Sequence, residues 1–249
     1  MKGFKFISLL FFFLPFLTKA ADYSVSPFYF VTSPGSRVVF NVTNLRNDLP
    51  ILVKIRVEQN GQKICKYLRV IPRILFIPPK KTQKTVIFVP DIPLPKGEYK
   101  CYITFTEKVY RPTVIQGNTP TPEGVIAGVA INFKFRLPVY IRSDLTPEDL
   151  KLAVSYEVKD HRLILHFKKA GLAHFRGWFH VFLYKDGKRV YHYEQDIVVL
   201  DKMSVTINLP KDLKPGKYTM EIFAVENPEL QARLWKKGKT ILKTEIEIK

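Results

Sequence analysis

Residues 125–142, Val-Ile-Ala-Gly-Val-Ala-Ile-Asn-Phe-Lys-Phe-Arg-Leu-Pro-Val-Tyr-Ile-Arg, constrain this chain more than any other stretch. From Val125 to Ile131 every position is apolar or small, so a strand built from them is apolar on both faces. The second half is amphipathic, with Phe133, Phe135 and Leu137 on one face and Lys134 and Arg136 on the other. An antiparallel sandwich covers only one face of each sheet with its own core. A two-sided apolar strand in such a fold needs a second cover, and a partner protein is one candidate.

Shorter runs of the same kind recur along the chain. Candidate strands are 36–44, 51–59, 68–77, 82–89 and 97–107, followed after residue 145 by 152–158, 162–167, 176–184, 188–193, 203–209, 217–225 and 240–248. Asn60-Gly61 and Asp186-Gly187 read as hairpin turns, because both residues of each pair tolerate positive φ. Long stretches of 3.6-residue period are missing, so the pattern predicts an all-β sandwich architecture.

An internal repeat points to two copies. Lys84-Thr-Val-Ile-Phe-Val-Pro90 leads through a Pro-rich turn to Lys96-Gly-Glu-Tyr99, and Met203-Ser-Val-Thr-Ile-Asn-Leu-Pro210 leads to Pro215-Gly-Lys-Tyr218. A tyrosine at the start of a sixth strand holds the tyrosine-corner position of immunoglobulin-like sandwiches. The expected architecture is therefore all-β: two tandem immunoglobulin-like β-sandwich domains, 21–143 and 144–249, after a cleaved signal peptide at 1–20. The boundary falls near Ser143-Asp-Leu-Thr-Pro147. Residues 108–124 carry Pro112, Pro120 and Pro122 and lack periodicity, as a long functional or disordered loop would.

The leader is read from Lys2 and Lys5, the apolar run Phe6 to Leu17 and the small-residue site Thr18-Lys19-Ala20. That run is shorter than the ~20 residues a membrane span needs, so an exported, soluble protein is expected. The formal charge is +18. A basic balance favours acidic partners, anionic surfaces or nucleic acid. Export, with no basic helix or RNA-reading aromatic motif, argues against nucleic acid, and a lysine-rich surface that maintains solubility accounts for the charge. Cys65 and Cys101 fit either a disulfide, in an oxidising compartment, or two buried thiols.

Catalytic and metal chemistry find little to rest on. All five histidines, His161, His166, His174, His180 and His192, lie in the second half, but no close pair recurs with a carboxylate or Cys at ligand spacing, so no metal is expected. No Gly-x-Ser-x-Gly elbow and no phosphate-cradling glycine loop is present. Glu148-Asp149, after Thr146-Pro147, reads as a turn or the first turn of a short helix. Trp178, Phe179, Phe182 and Tyr184 read as sandwich core. No enzyme activity, cofactor or small-molecule substrate is expected.

Taken in order, several segments resemble the periplasmic pilus-assembly chaperone family. Leu68-Arg-Val-Ile-Pro72, Leu75-Phe-Ile-Pro-Pro79 and Gln83-Lys-Thr-Val86 are similar to its fourth and fifth strands. Gly97-Glu-Tyr-Lys-Cys-Tyr-Ile-Thr-Phe105 is similar to the sixth, and Phe135-Arg-Leu-Pro-Val-Tyr140 to the end of the seventh. The second half matches mainly in architecture. The resemblance implies a periplasmic chaperone whose partners are pilin subunits and an outer-membrane usher. Its seventh strand would add to the subunit's incomplete sheet, with Val125, Ala127, Val129 and Ile131 offered to the subunit groove and Ile126 and Ala130 packed inward. Two cations would anchor the subunit's terminal carboxylate. Arg136 falls at the seventh-strand cation, with Lys134 beside it. The family's first-strand arginine has no counterpart in 26–31, and Lys100 on the sixth strand stands in. The competing reading is an exported structural or adhesive protein of two sandwiches.

Overall fold

The computed structural model describes residues 22–59, 61–108 and 133–248. The leader and the segment 125–131 lie outside the described residues, as does most of the loop 108–124. The first half supplies β1 (Tyr23–Ser26), β2 (Phe30–Thr32), β3 (Arg37–Asn44), β4 (Ile51–Glu58), β5 (Arg69–Ile71), β6 (Ile74–Ile77), β7 (Thr82–Phe88), β8 (Gly97–Lys108) and β9 (Lys134–Ser143). The second supplies β10 (Leu152–Lys159), β11 (Arg162–Lys169), β12 (Phe175–Lys185), β13 (Lys188–Val199), β14 (Lys202–Asn208), β15 (Gly216–Glu226) and β16 (Lys239–Ile248). No helix among the described residues is long and apolar enough to cross a membrane.

Four sheets make two sandwiches. The first pairs a sheet of order β1-β3-β7-β5 with one of order β2-β9-β8-β4-β6, and the second pairs β10-β11-β14 with β13-β12-β15-β16. Alternation builds each core. Val38, Phe40 and Val42 of β3 face Cys101, Ile103 and Phe105 of β8, all fully buried. Leu163, Leu165 and Phe167 of β11 meet Phe179, Val181 and Leu183 of β12 in the second core. Each such side chain contributes about 1.5–3 kcal/mol by leaving water. The first core draws on residues Tyr23 to Ile141 and the second on Leu145 to Ile248.

The repeat seen in the sequence has a structural counterpart. The Tyr99 hydroxyl donates to the Pro95 carbonyl at 2.7 Å, and Tyr218 donates in the same way to Lys214. Each bond ties the start of β8 or β15 to the turn before it. Cys65, in a 3-10 turn over Lys63–Tyr67, is bonded to Cys101 of β8, with their Cα atoms 5.5 Å apart. Pro147–Asp149 forms a short 3-10 helix, capped by Thr146 and Asp149.

Four expectations need correction. Segment 68–77 is two strands: β5 pairs with β7 in one sheet and β6 with β4 in the other, with Pro72 between them. The first strand is likewise split, β1 pairing with β3 and β2 running parallel to β9. Proline explains both breaks, since Pro27 and Pro72 supply no N–H to continue a ladder. Gly61 has the positive φ of a turn, 83°, but the chain then enters the 3-10 turn, and β4 pairs with β6 and β8. Asp186 and Gly187, at φ 52° and 75°, do close the β12–β13 hairpin. Of the aromatics read as core, only Phe179 is buried; Trp178, Phe182 and Tyr184 alternate onto the outer face, Trp178 exposed.

Candidate functional site

β9 is the strand on which the site rests. On one side β8 accompanies it over its whole length; on the other, β2 pairs only at Val139, Tyr140 and Ile141. Residues 134–138 therefore present backbone that has no second strand among the described residues. Such an edge is a template for another chain. Within β9, Leu137, Val139 and Ile141 point into the core, while Arg136 and Tyr140 point the other way.

The outward face of β8 and β9 carries the cations. Register places Lys100 opposite Tyr140, Tyr102 opposite Pro138 and Thr104 opposite Arg136. On the other side of β8, Glu58 of β4 stands opposite Tyr102. Arg136 Nε donates to Glu58 Oε2 at 2.6 Å, and Thr104 Oγ1 donates to Oε1 at 2.6 Å. Lys134 Nζ lies 3.7 Å from the same carboxylate. The Arg136 guanidinium sits 3.4 Å above the Tyr102 ring. Thr104 first, then Arg136, hold the Glu58 carboxyl below its ordinary value, so it is a carboxylate at neutral pH.

Lys100 occupies the other end of this face, its ammonium 4.8 Å from the Tyr102 ring centre and 5.4 Å from that of Tyr140. Partial burial pulls its pKa down, but hydrogen bonding to Tyr102 and Tyr140 outweighs that and leaves the group above the ordinary lysine value. Tyr140 in turn packs on Tyr29 and, at 4.2 Å, on His174 of the second sandwich. The three sequence-derived cations thus share one face but not one setting. Arg136 and Lys134 attend Glu58 at the outer end, and Lys100 stands nearest the junction between the sandwiches. Val125, Ala127, Val129 and Ile131 lie outside the described residues.

The junction holds a cluster that sequence reasoning missed. Arg142 Nε donates to Glu98 Oε2 at 2.9 Å, and its Nη1 donates to Glu226 Oε1 at 2.8 Å and the Ala232 carbonyl at 2.9 Å. Its Nη2 donates to the His174 carbonyl at 2.8 Å. Glu226 Oε2 also accepts from the backbone N–H groups of Leu234 and Trp235, each at 2.6 Å. His174 Nδ1–H donates to Glu98 Oε1 at 2.6 Å. Burial, with the Arg176 cation nearby, holds His174 down to about 3, so it serves as a neutral donor. Burial also raises the Glu98 carboxyl, against the pull of Arg142. The one available signal was a charge closing an apolar run, Arg142 after Pro-Val-Tyr-Ile and Glu226 after Ile-Phe-Ala-Val.

The second-sandwich histidines do not stay apart as their spacing suggested. His180 and His192 meet Glu194 on the outer face of β12 and β13, because cross-strand register joins residues that sequence distance separates.

No protein-family model matches the sequence, and no curated protein matches it. Among solved structures the chain is similar to the YadV chaperone, at 15% identity over 91% of this chain and 100% of that one, with a TM-score of 0.44. It is similar to the class 5 fimbriae chaperone CfaA at 12% identity over 88% and 97% of the two chains, TM-score 0.46. A third similarity, 13% over 93% and 98% with a TM-score of 0.43, is to a Salmonella enterica structure of the SafA pilin in complex with the SafB chaperone.

Proposed function

We propose that this chain is an exported, periplasmic chaperone, without enzyme activity, that binds and stabilises pilin subunits. Residues 125–131 would be donated to the subunit's incomplete sheet, with Val125, Ala127, Val129 and Ile131 filling its groove. The observation that carries this reading is the β9 edge at 134–138, which has no second strand among the described residues, follows the two-sided apolar segment in sequence and is flanked by a cationic face. Backbone pairing along such an edge supplies affinity, and alternate side chains supply selection. The likeness of 68–72, 75–79, 83–86, 97–105 and 135–140 to the pilus-chaperone pattern supports the same reading.

For the carboxylate anchor, Arg136, Lys134 and Lys100 are the candidate cations, in different settings on one sheet face. Arg136 and Lys134 already face Glu58, so an incoming carboxylate would compete with a fixed one. Lys100 stands nearest the junction, its ammonium beside the Tyr102 and Tyr140 rings. The deciding experiment is export with an affinity tag followed by native mass spectrometry of the captured material. A one-to-one complex with an unlike, smaller β-rich chain is expected. Recovery of the protein alone, or bound to a glycan surface, would favour the adhesive reading.

A further inference from the structure

We propose that the outer face of the β12–β13 hairpin binds a divalent first-row transition metal, zinc being the best fit, through His180 Nδ1, His192 Nε2 and a Glu194 carboxylate oxygen. The site lies on the second sandwich, apart from the β9 face. His180 Nδ1 and His192 Nε2 are 3.2 Å apart, and Glu194 Oε2 lies 3.3 Å from the first and 3.8 Å from the second. Ligands bound to zinc at about 2.0–2.1 Å in a tetrahedron are separated by ~3.3 Å, so these atoms already stand near the edges of a coordination polyhedron. Two imidazoles and one carboxylate are a donor set that zinc accepts, with water in the fourth position.

Register creates the arrangement. His180 is directly opposite Glu194 and Phe182 directly opposite His192, so all three ligands share one sheet face across a tightly closed hairpin. Phe182 stacks against the His192 ring at 4.8 Å, and Phe223 of β15 lies 6.1 Å from His180, which limits how the rings turn. The same face carries Asp196 opposite Trp178 and Glu221 opposite Phe182, against the cation Arg189 above Phe182. On a chain of formal charge +18, this is a local gathering of carboxylates around two imidazoles. The metal would replace the hydrogen bond now joining the two rings. Each ring then keeps one proton, His180 on Nε2 and His192 on Nδ1, so ligation needs only a choice of tautomer.

The test is calorimetric titration of zinc into the full, tag-free protein after chelator treatment, with histidine ring nitrogen shifts recorded by NMR. One zinc per chain is expected, with ligation at His180 Nδ1 and His192 Nε2. His180→Ala and His192→Ala should each weaken binding roughly tenfold or more, because a three-ligand site does not tolerate the loss of one imidazole. His166→Ala, on another sheet, should leave it unchanged. Circular dichroism checks the fold, and Glu194→Ala, at an exposed position, serves should a histidine variant misfold. No saturable binding, or binding that survives His180→Ala and His192→Ala, would overturn the proposal; the latter would mean an ion held adventitiously elsewhere.

Discussion

Arg142 of the first sandwich and Glu226 of the second form an ion pair at 2.8 Å in which their side chains are 2% and 0% exposed. A charge pair this deep offsets its own desolvation only while both members and their hydrogen bonds persist. Removing one member leaves the other buried and unpaired, at a cost of about 3–5 kcal/mol. Glu226→Ala should therefore lower stability by about that amount in urea denaturation, and small-angle scattering should show the two sandwiches losing their fixed relation. Unchanged scattering and stability would mean the pair does not set that relation.

His174 gives stability a pH dependence with a definite sign. It is neutral in the folded protein down to about 3, whereas the unfolded chain takes up a proton below 6.5. Its contribution is present above the unfolded value and is lost as pH falls through that window, by about 3 kcal/mol at pH 4. Glu98, raised by burial, acts in the opposite sense, its contribution declining as pH rises through its folded value. His174→Asn, which keeps a donor and removes the titration, should flatten the low-pH decline. An unchanged profile in that variant would assign the decline to other groups.

Glu58 makes the carboxylate anchor testable in a way that simple charge reversal does not. Lys100→Met should weaken binding of a client's C-terminal peptide by about 1.5–3 kcal/mol, the range for a charged hydrogen bond. If Arg136 contributes, Glu58→Gln should strengthen that binding by releasing it, and Arg136→Glu should abolish it. Fluorescence anisotropy with a labelled peptide reads all three. An affinity insensitive to Lys100→Met would remove this residue from the anchor.

Val129→Asp should leave a folded monomer and abolish client capture, since it would bury an unpaired carboxylate in an apolar groove. In β9 it is the odd-numbered residues Leu137 and Val139 that face the core, so Val139→Asp is the control for a core position and should unfold the domain. Ala130→Asp tests the opposite face of the donor segment. Thermal unfolding with client pull-down distinguishes them. A Val129→Asp protein that behaves like Val139→Asp would identify the segment as core.

Reduction of the Cys65–Cys101 bond, which closes 36 residues of chain, should destabilise the first sandwich by about 3–4 kcal/mol in the chain-entropy model. The second sandwich should be unaffected. Calorimetry with and without reductant resolves the two transitions.

Alternation and turn chemistry made the sandwiches readable from sequence, because strands such as β3, β8 and β11 bury one parity of a local pattern. The splitting of 68–77 between two sheets was not read, although the buried parity changes from Val70 to Leu75 and Ile77, because each piece is only three or four residues long. The cation face was readable residue by residue, yet Glu58, which organises it, sits 78 positions from Arg136 and acquires its role only through the register of β4 on β8. The Arg142 cluster was hidden for the same reason. Its members come from both sandwiches and from a coil, and each alone looks like an ordinary surface charge.

The brevity of β2 has a consequence for any strand that docks on β9. Three residues of β2 cover the β9 edge at Val139, Tyr140 and Ile141, so a strand added beside 134–138 would be halted at Pro138. A chain that brings its last carboxylate to Lys100 from the open side must then run parallel to β9, tip first toward the junction. β2 would then be an end stop that sets where the visitor finishes, whatever sequence it carries.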